Sequence, residues 1–250
     1  DFTQRLQKAL DADFQIDREL GGGGMSRVFL ATERALQRKV VIKVLPPELA
    51  AGVNIERFKR EIQLAAQLQH PHVVPLLATG DEDGILWFSM PFIEGESLRG
   101  ALTRQKRLPP RDVVRILHDV VDALAYSHAR GIVHRDIKPD NILTSGMHAL
   151  VTDFGVAKAL SAAIPMAGGT TTGMVVGTPA YMAPEQLAAD PAADHRVDIY
   201  AVGLLAYELL TGRSPFGGSS PQATMAAQLT EIPKPPHEFA DIPEGLSALI

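Results

Sequence analysis

The sequence predicts an α+β fold in two lobes, and three observations support this prediction. Short β-branched runs between Phe14 and Leu45 alternate with turn-forming segments, which is typical of an antiparallel sheet. Beyond Pro110, apolar residues recur at helical spacing instead. The chain of 250 residues, 46% of them hydrophobic, is long enough to bury a core in each part. We therefore expect a small sheet-rich lobe over residues 1–93 and a larger, mainly helical lobe over 94–250.

The first lobe should contain strands and one helix. The runs VFLAT and VVIKVL predict strands, and the segment 54–68 predicts a helix with one apolar stripe. The stripe consists of Ile55, Phe58, Ile62, Ala65 and Leu68. Residues 92–95, where the β pattern gives way to helices, are the expected linker.

The second lobe should begin with a long amphipathic helix. Pro110 suits its first turn and Gly131 its end. Its expected apolar stripe is Val113, Leu117, Val120, Val121 and Leu124. Further helices are predicted over 196–210 and 221–229, with Gly and Pro clusters between them.

Composition excludes several classes of function. A net charge of −5 disfavours nucleic-acid binding, and the absence of cysteine excludes disulfides, thiolate nucleophiles and zinc–thiolate sites. The longest apolar stretch, near 199–210, is interrupted by Glu208 and falls short of the roughly 18 residues of a membrane span. We expect a soluble segment without membrane contact. No metal-ligand spacing is evident for His70, His72, His195 or His237, so they receive no function.

The most informative segment is HRDIKPDN, His134 to Asn141, followed by DFG at Asp153 to Gly155. One carboxylate can orient a substrate hydroxyl, while hard oxygen ligands hold Mg²⁺ against nucleotide phosphates. Asp136, Asn141 and Asp153 suit these tasks.

The glycine run LGGGGMSRV, Leu20 to Val28, allows backbone amides to approach phosphates closely. Ser26 occupies the third glycine position of G-x-G-x-x-G, and a strand follows where a dinucleotide-binding fold would have a helix. A plain structural turn is the alternative interpretation.

Lys43 and Glu61 are charged residues at positions that face inward. Alternation puts Lys43 on the same strand face as Val41, and Glu61 falls within the apolar stripe of its helix. We expect these two side chains to form an ion pair. The alternatives are a lysine that reaches water at a sheet edge and a solvated glutamate at the border of the stripe.

Together with APE at Ala183 to Glu185, these motifs resemble the catalytic domain of eukaryotic-type Ser/Thr protein kinases, most closely its bacterial members. The resemblance covers nearly the whole chain and implies a bilobal protein kinase-like fold. Since the family continues with further helix, including an arginine that pairs with the APE glutamate, we expect the C-terminal end to be missing. We also expect a cytoplasmic domain, with any membrane anchor outside this segment.

The resemblance implies ATP and Mg²⁺ as cofactors. Asp136 would position the substrate hydroxyl, Lys138 would contact the γ-phosphate, Lys43 and Glu61 would complete the catalytic set, and Asn141 and Asp153 would bind Mg²⁺. The implied ATP-binding residues are Leu20, Gly21, Gly22, Gly23, Gly24, Met25, Ser26, Val28, Val41, Lys43, Met90, Pro91, Ile93 and Leu143.

The resemblance also bears on the acceptor and on regulation. Lys138 and the segment GTPAYMAPE resemble the Ser/Thr-specific branch. The segment between DFG and APE, rich in Ala, Gly and Thr, resembles a flexible activation loop, with Thr170 and Thr172 as candidate phosphosites. Arg135 could pair with a phosphate there, and Asp198 would accept backbone hydrogen bonds from the HRD turn.

The predicted function is therefore transfer of the γ-phosphoryl group of Mg·ATP to Ser or Thr of protein substrates, with autophosphorylation that could involve a homodimer. The alternatives are a pseudokinase that acts as a nucleotide-binding scaffold and a small-molecule phosphotransferase of related fold.

Overall fold

The computed structural model describes residues 2–23, 26–45, 54–163, 179–217 and 220–250. These residues form two compact units. Unit 1 contains the described residues of 2–69, 74–94 and 158–163, and unit 2 contains those of 70–73, 95–157 and 179–250. The expectation of an α+β fold with an antiparallel sheet and a mainly helical part is confirmed.

Unit 1 is built on a five-stranded sheet in the order β1-β2-β3-β5-β4. Every neighbouring pair is antiparallel. The strands are β1 (Phe14–Gly23), β2 (Ser26–Glu33), β3 (Arg38–Val44), β4 (Ala78–Glu82) and β5 (Ile85–Pro91).

Helices α1 and α2 belong to the same unit as this sheet. Helix α1 (Phe2–Leu10), which the sequence pattern did not predict, buries Leu6 and Leu10 in one core cluster with the sheet residues Phe29 and Ile42. Helix α2 (Ile55–Ala65) begins at Asn54, whose side chain accepts a hydrogen bond from the backbone of Arg57 at 3.0 Å. A helix within the predicted segment 54–68 is confirmed, although it ends at Ala65. It buries Phe58, Ile62 and Ala65, and Leu68 is buried just beyond its end.

Unit 2 combines helices with a small antiparallel sheet in the order β6-β7-β8. Its strands are β6 (Glu96–Ser97), β7 (Ile142–Ser145) and β8 (His148–Val151). Its helices are α3 (Leu98–Gln105), α4 (Pro110–His128), α6 (Pro184–Leu187), α7 (Arg196–Thr211), α8 (Pro221–Thr230) and α9 (Glu244–Leu249). Short 3₁₀ turns lie at Pro139–Asn141, Pro179–Tyr181 and Pro236–Glu238.

The predicted helices of unit 2 are confirmed, with one correction to the first stripe. Helix α4 ends before Gly131, which has φ +71°, and buries Val113, Val120 and Leu124. Val121 is 43% exposed, because the helical repeat turns it one position away from the buried face.

A second correction concerns the segment after DFG. Helix α5 (Val156–Ala163) begins directly after Gly155, and its residues from Lys158 onward belong to unit 1. Residues 156–163 are therefore helical, where the sequence predicted a flexible loop. In the described part of the chain, no helix is both long enough and apolar enough to cross a membrane.

Candidate active site

The catalytic turn of unit 2 brings three predicted site residues together. Asn141 Nδ2 donates to the backbone oxygen of Asp136 at 2.8 Å and to its Oδ2 at 2.9 Å. Lys138 Nζ lies 2.8 Å from the same Oδ2. A 3₁₀ turn holds Asn141 in place immediately before β7. Both contacts meet at Oδ2, and among the described residues no hydrogen bond is seen at the other carboxylate oxygen of Asp136.

Asp198, at the start of α7, holds this turn through hydrogen bonds to its backbone. Its side chain is fully buried, and its two oxygens accept from the backbone N–H of His134 at 2.8 Å and of Arg135 at 2.7 Å. His128 Nε2 lies 2.7 Å from Oδ2 of the same carboxylate. These are the backbone contacts that the sequence predicted for Asp198. They hold Arg135 in a left-handed conformation with φ +67°.

His134 connects the catalytic turn to DFG. Its Nε2 lies 2.8 Å from the backbone oxygen of Thr152, and its ring packs edge-on against Phe154 with 4.7 Å between centroids. Asp153, between these two residues, has φ +68°. A buried histidine therefore contacts the residues on both sides of Asp153.

Asn141 and Asp153 fit the chemistry of an Mg²⁺ site. The Asn141 amide uses its nitrogen for both bonds to Asp136, so its oxygen Oδ1 remains for a metal. Asp153 contributes a carboxylate. An amide oxygen and a carboxylate are hard donors of the kind that Mg²⁺ prefers.

In unit 1, the glycine run forms the end of the β1–β2 hairpin. Gly22 pairs with Arg27 and Gly23 with Ser26. A Cβ at Gly22 would lie 2.5 Å from the backbone oxygen of Ser26, and Gly21 has φ +121°. These positions require glycine for close approach and for backbone conformation, respectively. Gly24 and Met25 lie outside the described residues.

Lys43 lies in β3 on the same face as Val41, as the alternation predicted, but this is the less buried face of the strand. Along β3, Val40, Ile42 and Val44 are fully buried, whereas Val41 and Lys43 alternate with them and are only half-buried. Lys43 pairs with Val28 on one neighbouring strand and with Phe88 on the other.

The other predicted adenine-site residues differ in burial. Met90 pairs with Val41 and is buried, Leu20 is 38% exposed, and Leu143 lies in β7 of unit 2. Pro91 and Ile93 follow at the end of β5 and are half-buried. Their roles in ATP binding remain predictions.

Glu61 has a partner that the sequence did not predict. Its Oε2 lies 2.9 Å from Nζ of Lys158, on α5. The expected ion pair between Lys43 and Glu61 stays a prediction. Glu61 is 19% exposed and Lys158 37% exposed, so water reaches this ion pair. Lys158 follows DFG closely in sequence and was not identified from the sequence, since one lysine in an alanine-rich helix carries no distinctive pattern.

Comparison with known proteins identifies the family to which this chain belongs. The family model described as "Protein kinase domain" matches residues 14–246. This chain belongs to the protein kinase domain family.

Curated relatives from bacteria agree with that assignment. The kinase domain is 39% identical to Serine/threonine-protein kinase PrkC of Bacillus subtilis, over 98% of this chain and 38% of that protein. It is 39% identical to Serine/threonine-protein kinase PknB of Mycolicibacterium smegmatis, over 95% and 39%, respectively. It is 37% identical to Serine/threonine-protein kinase pkn3 of Myxococcus xanthus, over 94% and 44%. The chain thus spans less than half the length of these relatives.

The kinase domain also contains a charged network that sequence reasoning missed. Arg99 Nη1 lies 2.8 Å from Oε1 of Glu208, and Arg99 Nη2 donates to the hydroxyl of Tyr181 at 2.7 Å. Tyr181 in turn donates to Glu208. Burial and the nearby Glu208 carboxylate raise the pKa of Tyr181, which keeps its hydroxyl protonated. This network anchors the segment GTPAYMAPE at Tyr181, but its members are too far apart in sequence to form a motif.

The candidate phosphosites Thr170 and Thr172 lie outside the described residues. Their assignment therefore stays a prediction.

Proposed function

We propose that this kinase domain transfers the γ-phosphoryl group of Mg·ATP to Ser or Thr hydroxyls of protein substrates. The observation that carries the proposal is the hydrogen-bonded set of Asp136, Lys138 and Asn141. It gives one carboxylate, one cation and one amide a fixed mutual geometry, as catalysis by positioning requires.

Asp136 is the residue that would receive the substrate. Lys138 and Asn141 both bind its Oδ2, so Oδ1 can accept the hydrogen of an incoming hydroxyl. The side chain is 15% exposed, which partly shields it from competing water. Orientation of the hydroxyl and acceptance of its proton follow from this position.

Asn141 Oδ1 and the Asp153 carboxylate would hold Mg²⁺. When bound with ATP, this ion neutralises charge on the transferred phosphoryl group. Lys138 adds a positive charge beside Asp136, where the γ-phosphate would come close to the acceptor.

The glycine hairpin and Lys43 would bind the triphosphate. The lack of side chains at Gly21 and Gly22 exposes backbone N–H groups to phosphate oxygens. Lys43 would need a carboxylate to orient it, and in the family this is the role of the residue at Glu61. Glu61 also contacts Lys158, and this contact would compete for the same carboxylate.

Preference for Ser or Thr over Tyr is supported by Lys138 beside Asp136 and by the bacterial relatives, which are named serine/threonine-protein kinases. Autophosphorylation at Thr170 or Thr172 is part of the proposal. If one copy phosphorylates another, the initial rate per molecule should rise with kinase concentration.

The test is transfer of radiolabelled phosphate to a basic protein substrate by the wild type and by Asp136→Asn. We expect the variant to lose about 10²–10⁴-fold in rate, because it cannot accept the hydroxyl proton. ATP binding, measured by titration, should change little. Undiminished transfer by the variant would refute the role of Asp136. A wild type that binds ATP but transfers no phosphate would favour the pseudokinase alternative.

A further inference from the structure

We propose that His72, Asp119 and His148 form a binding site for one divalent transition-metal ion, with Zn²⁺ as its representative. All three residues belong to unit 2, and this site is independent of the proposed phosphoryl transfer. Sequence spacing alone does not group them, because they are distant along the chain. In the structure, one potential ligand atom from each lies within 4.8 Å of the others.

The geometry centres on the carboxylate of Asp119, in the middle of α4. His72 Nε2 lies 3.5 Å from its Oδ1, and His148 Nδ1 lies 3.6 Å from its Oδ2. These separations are longer than a direct hydrogen bond between nitrogen and oxygen. They leave space for an ion to be shared by the three side chains after small rotations.

The second nitrogen of His72 fixes how this ring is protonated. His72 Nδ1 lies 3.0 Å from the backbone oxygen of Ala149, which can only accept, so Nδ1 must carry the hydrogen. In the neutral ring, the lone pair of Nε2 then faces the Asp119 carboxylate, which is also an acceptor. Two acceptors repel unless a cation lies between them or the ring takes up a second proton. A histidine that donates one N–H to a backbone carbonyl while the other nitrogen binds metal is the usual arrangement at metal sites.

In His70 the hydrogen of the neutral ring lies on the other nitrogen than in His72, which allows a comparison within the same chain. Its Nδ1 accepts from the backbone N–H of His72 at 3.2 Å, so the hydrogen of its neutral ring lies on Nε2. That nitrogen faces Asp122 Oδ2 at 3.3 Å, which makes a donor-to-acceptor contact. His70 and Asp122 are complementary without an ion, whereas neutral His72 and Asp119 are not.

The site is also well supported. Asp119 is only 9% exposed, and its Oδ2 accepts from the backbone N–H of Ala149 at 2.9 Å. One residue of β8 thus holds both His72 and Asp119. His148 is 71% exposed, so it can rotate to complete the site and leaves a path for the ion and for a bound water.

The donor set selects the metal. Two imidazole nitrogens and one carboxylate, with water as a fourth ligand, are typical of Zn²⁺ and related transition metals. Mg²⁺ favours oxygen ligands, such as the pair at Asn141 and Asp153. Excess Mg²⁺ should therefore leave the histidine site available.

A bound ion would link three elements of unit 2: the segment that contains His72, helix α4 and strand β8. Strand β8 leads through Thr152 to Asp153, so the ion would hold together the base from which the DFG segment extends. Because the ion would bind the folded chain, it should raise the unfolding temperature.

The test is calorimetric titration of Zn²⁺ into the untagged 250-residue chain in the presence of excess Mg²⁺. We expect one site in the wild type. His148→Ala should weaken binding by at least about ten-fold, since a ligand is worth no less than the supporting groups of a metal site. The matched control is His118→Ala, because His118 is also exposed and its Nδ1 lies 3.7 Å from Asp119 Oδ1, but it does not belong to the cluster of three ligands. The control should bind as the wild type does.

Thermal unfolding gives a second measurement. Zn²⁺ at about a hundred times its dissociation constant should raise the midpoint of the wild type and of His118→Ala by about 5–10 °C, and that of His148→Ala by much less. Both variants alter exposed side chains, so both should fold. Absence of saturable binding in the wild type, or equal weakening in both variants, would overturn the proposal.

Discussion

The catalytic turn of unit 2 and the Lys43–Glu61 region of unit 1 are held by contacts of different kinds. Around the turn, a fully buried carboxylate, Asp198, accepts two backbone hydrogen bonds, and Asp136 meets both Lys138 and Asn141. In unit 1, Glu61 makes a partly exposed ion pair with Lys158. Buried hydrogen bonds fix one geometry, whereas an exposed pair contributes little free energy and can be exchanged. The comparison indicates that the turn around Asp136 is held in one geometry, whereas the contact of Glu61 with Lys158 is more easily exchanged.

The strongest test of this contrast removes the buried support. Asp198→Ala leaves the backbone N–H groups of His134 and Arg135 without their acceptor, at about 1–3 kcal/mol for each. We expect the free energy of unfolding to fall by about 3 kcal/mol or more, measured by urea denaturation.

Asp198→Asn is the matched control, since its amide oxygen can still accept a hydrogen bond. It should lose less stability than Asp198→Ala. Equal and small losses in both variants would show that Asp198 does not hold the turn.

A smaller effect is expected at the glycine hairpin. In Gly22→Ala, the new Cβ would lie 2.5 Å from the backbone oxygen of Ser26, so the hairpin must open. We expect ATP affinity to fall by roughly 5–10-fold, on the order of 1 kcal/mol. Gly217→Ala is the control, because a Cβ there meets nothing within 4 Å. ATP titration that gives the same affinity for both variants would separate this hairpin from nucleotide binding.

The smallest effect on stability is expected at the exchangeable pair. A double-mutant cycle with Glu61→Ala and Lys158→Met should give a coupling of about 0.2–1 kcal/mol, because water screens the pair.

The same variants should have opposite effects on phosphoryl transfer. Glu61→Ala removes the carboxylate proposed to orient Lys43 and should slow transfer, whereas Lys158→Met releases that carboxylate and should speed it. Arg60→Met removes a positive charge from the same helix as Glu61 and should do neither. Slower transfer in Lys158→Met would contradict the idea that Lys158 competes for Glu61.

The sequence predicted those features that depend on local pattern. The strand alternation around Lys43, the helix with Glu61 in its stripe and the backbone role of Asp198 all followed from spacing or from family motifs. They could be predicted because each depends either on residues close in sequence or on a family motif whose structural role is known.

The features that were missed depend on residues distant along the chain. Lys158 lies in a short alanine-rich helix, and only its contact with Glu61, distant in sequence, distinguishes it from other surface lysines. Arg99 meets Glu208 across 109 positions, and His72 meets Ala149 across 77. Helix α1 was missed for a related reason, since its nine residues are stabilised by Phe29 and other sheet residues and not by a strong local pattern.

The most direct test of the account is mass mapping of phosphate on the chain after incubation with Mg·ATP, with Asp136→Asn treated in parallel. The account predicts phosphoserine or phosphothreonine in the wild type, with Thr170 and Thr172 among the sites, and none in the variant or when Mg²⁺ is removed by a chelator. Phosphate on tyrosine alone, or equal phosphate on the wild type and the variant, would contradict it.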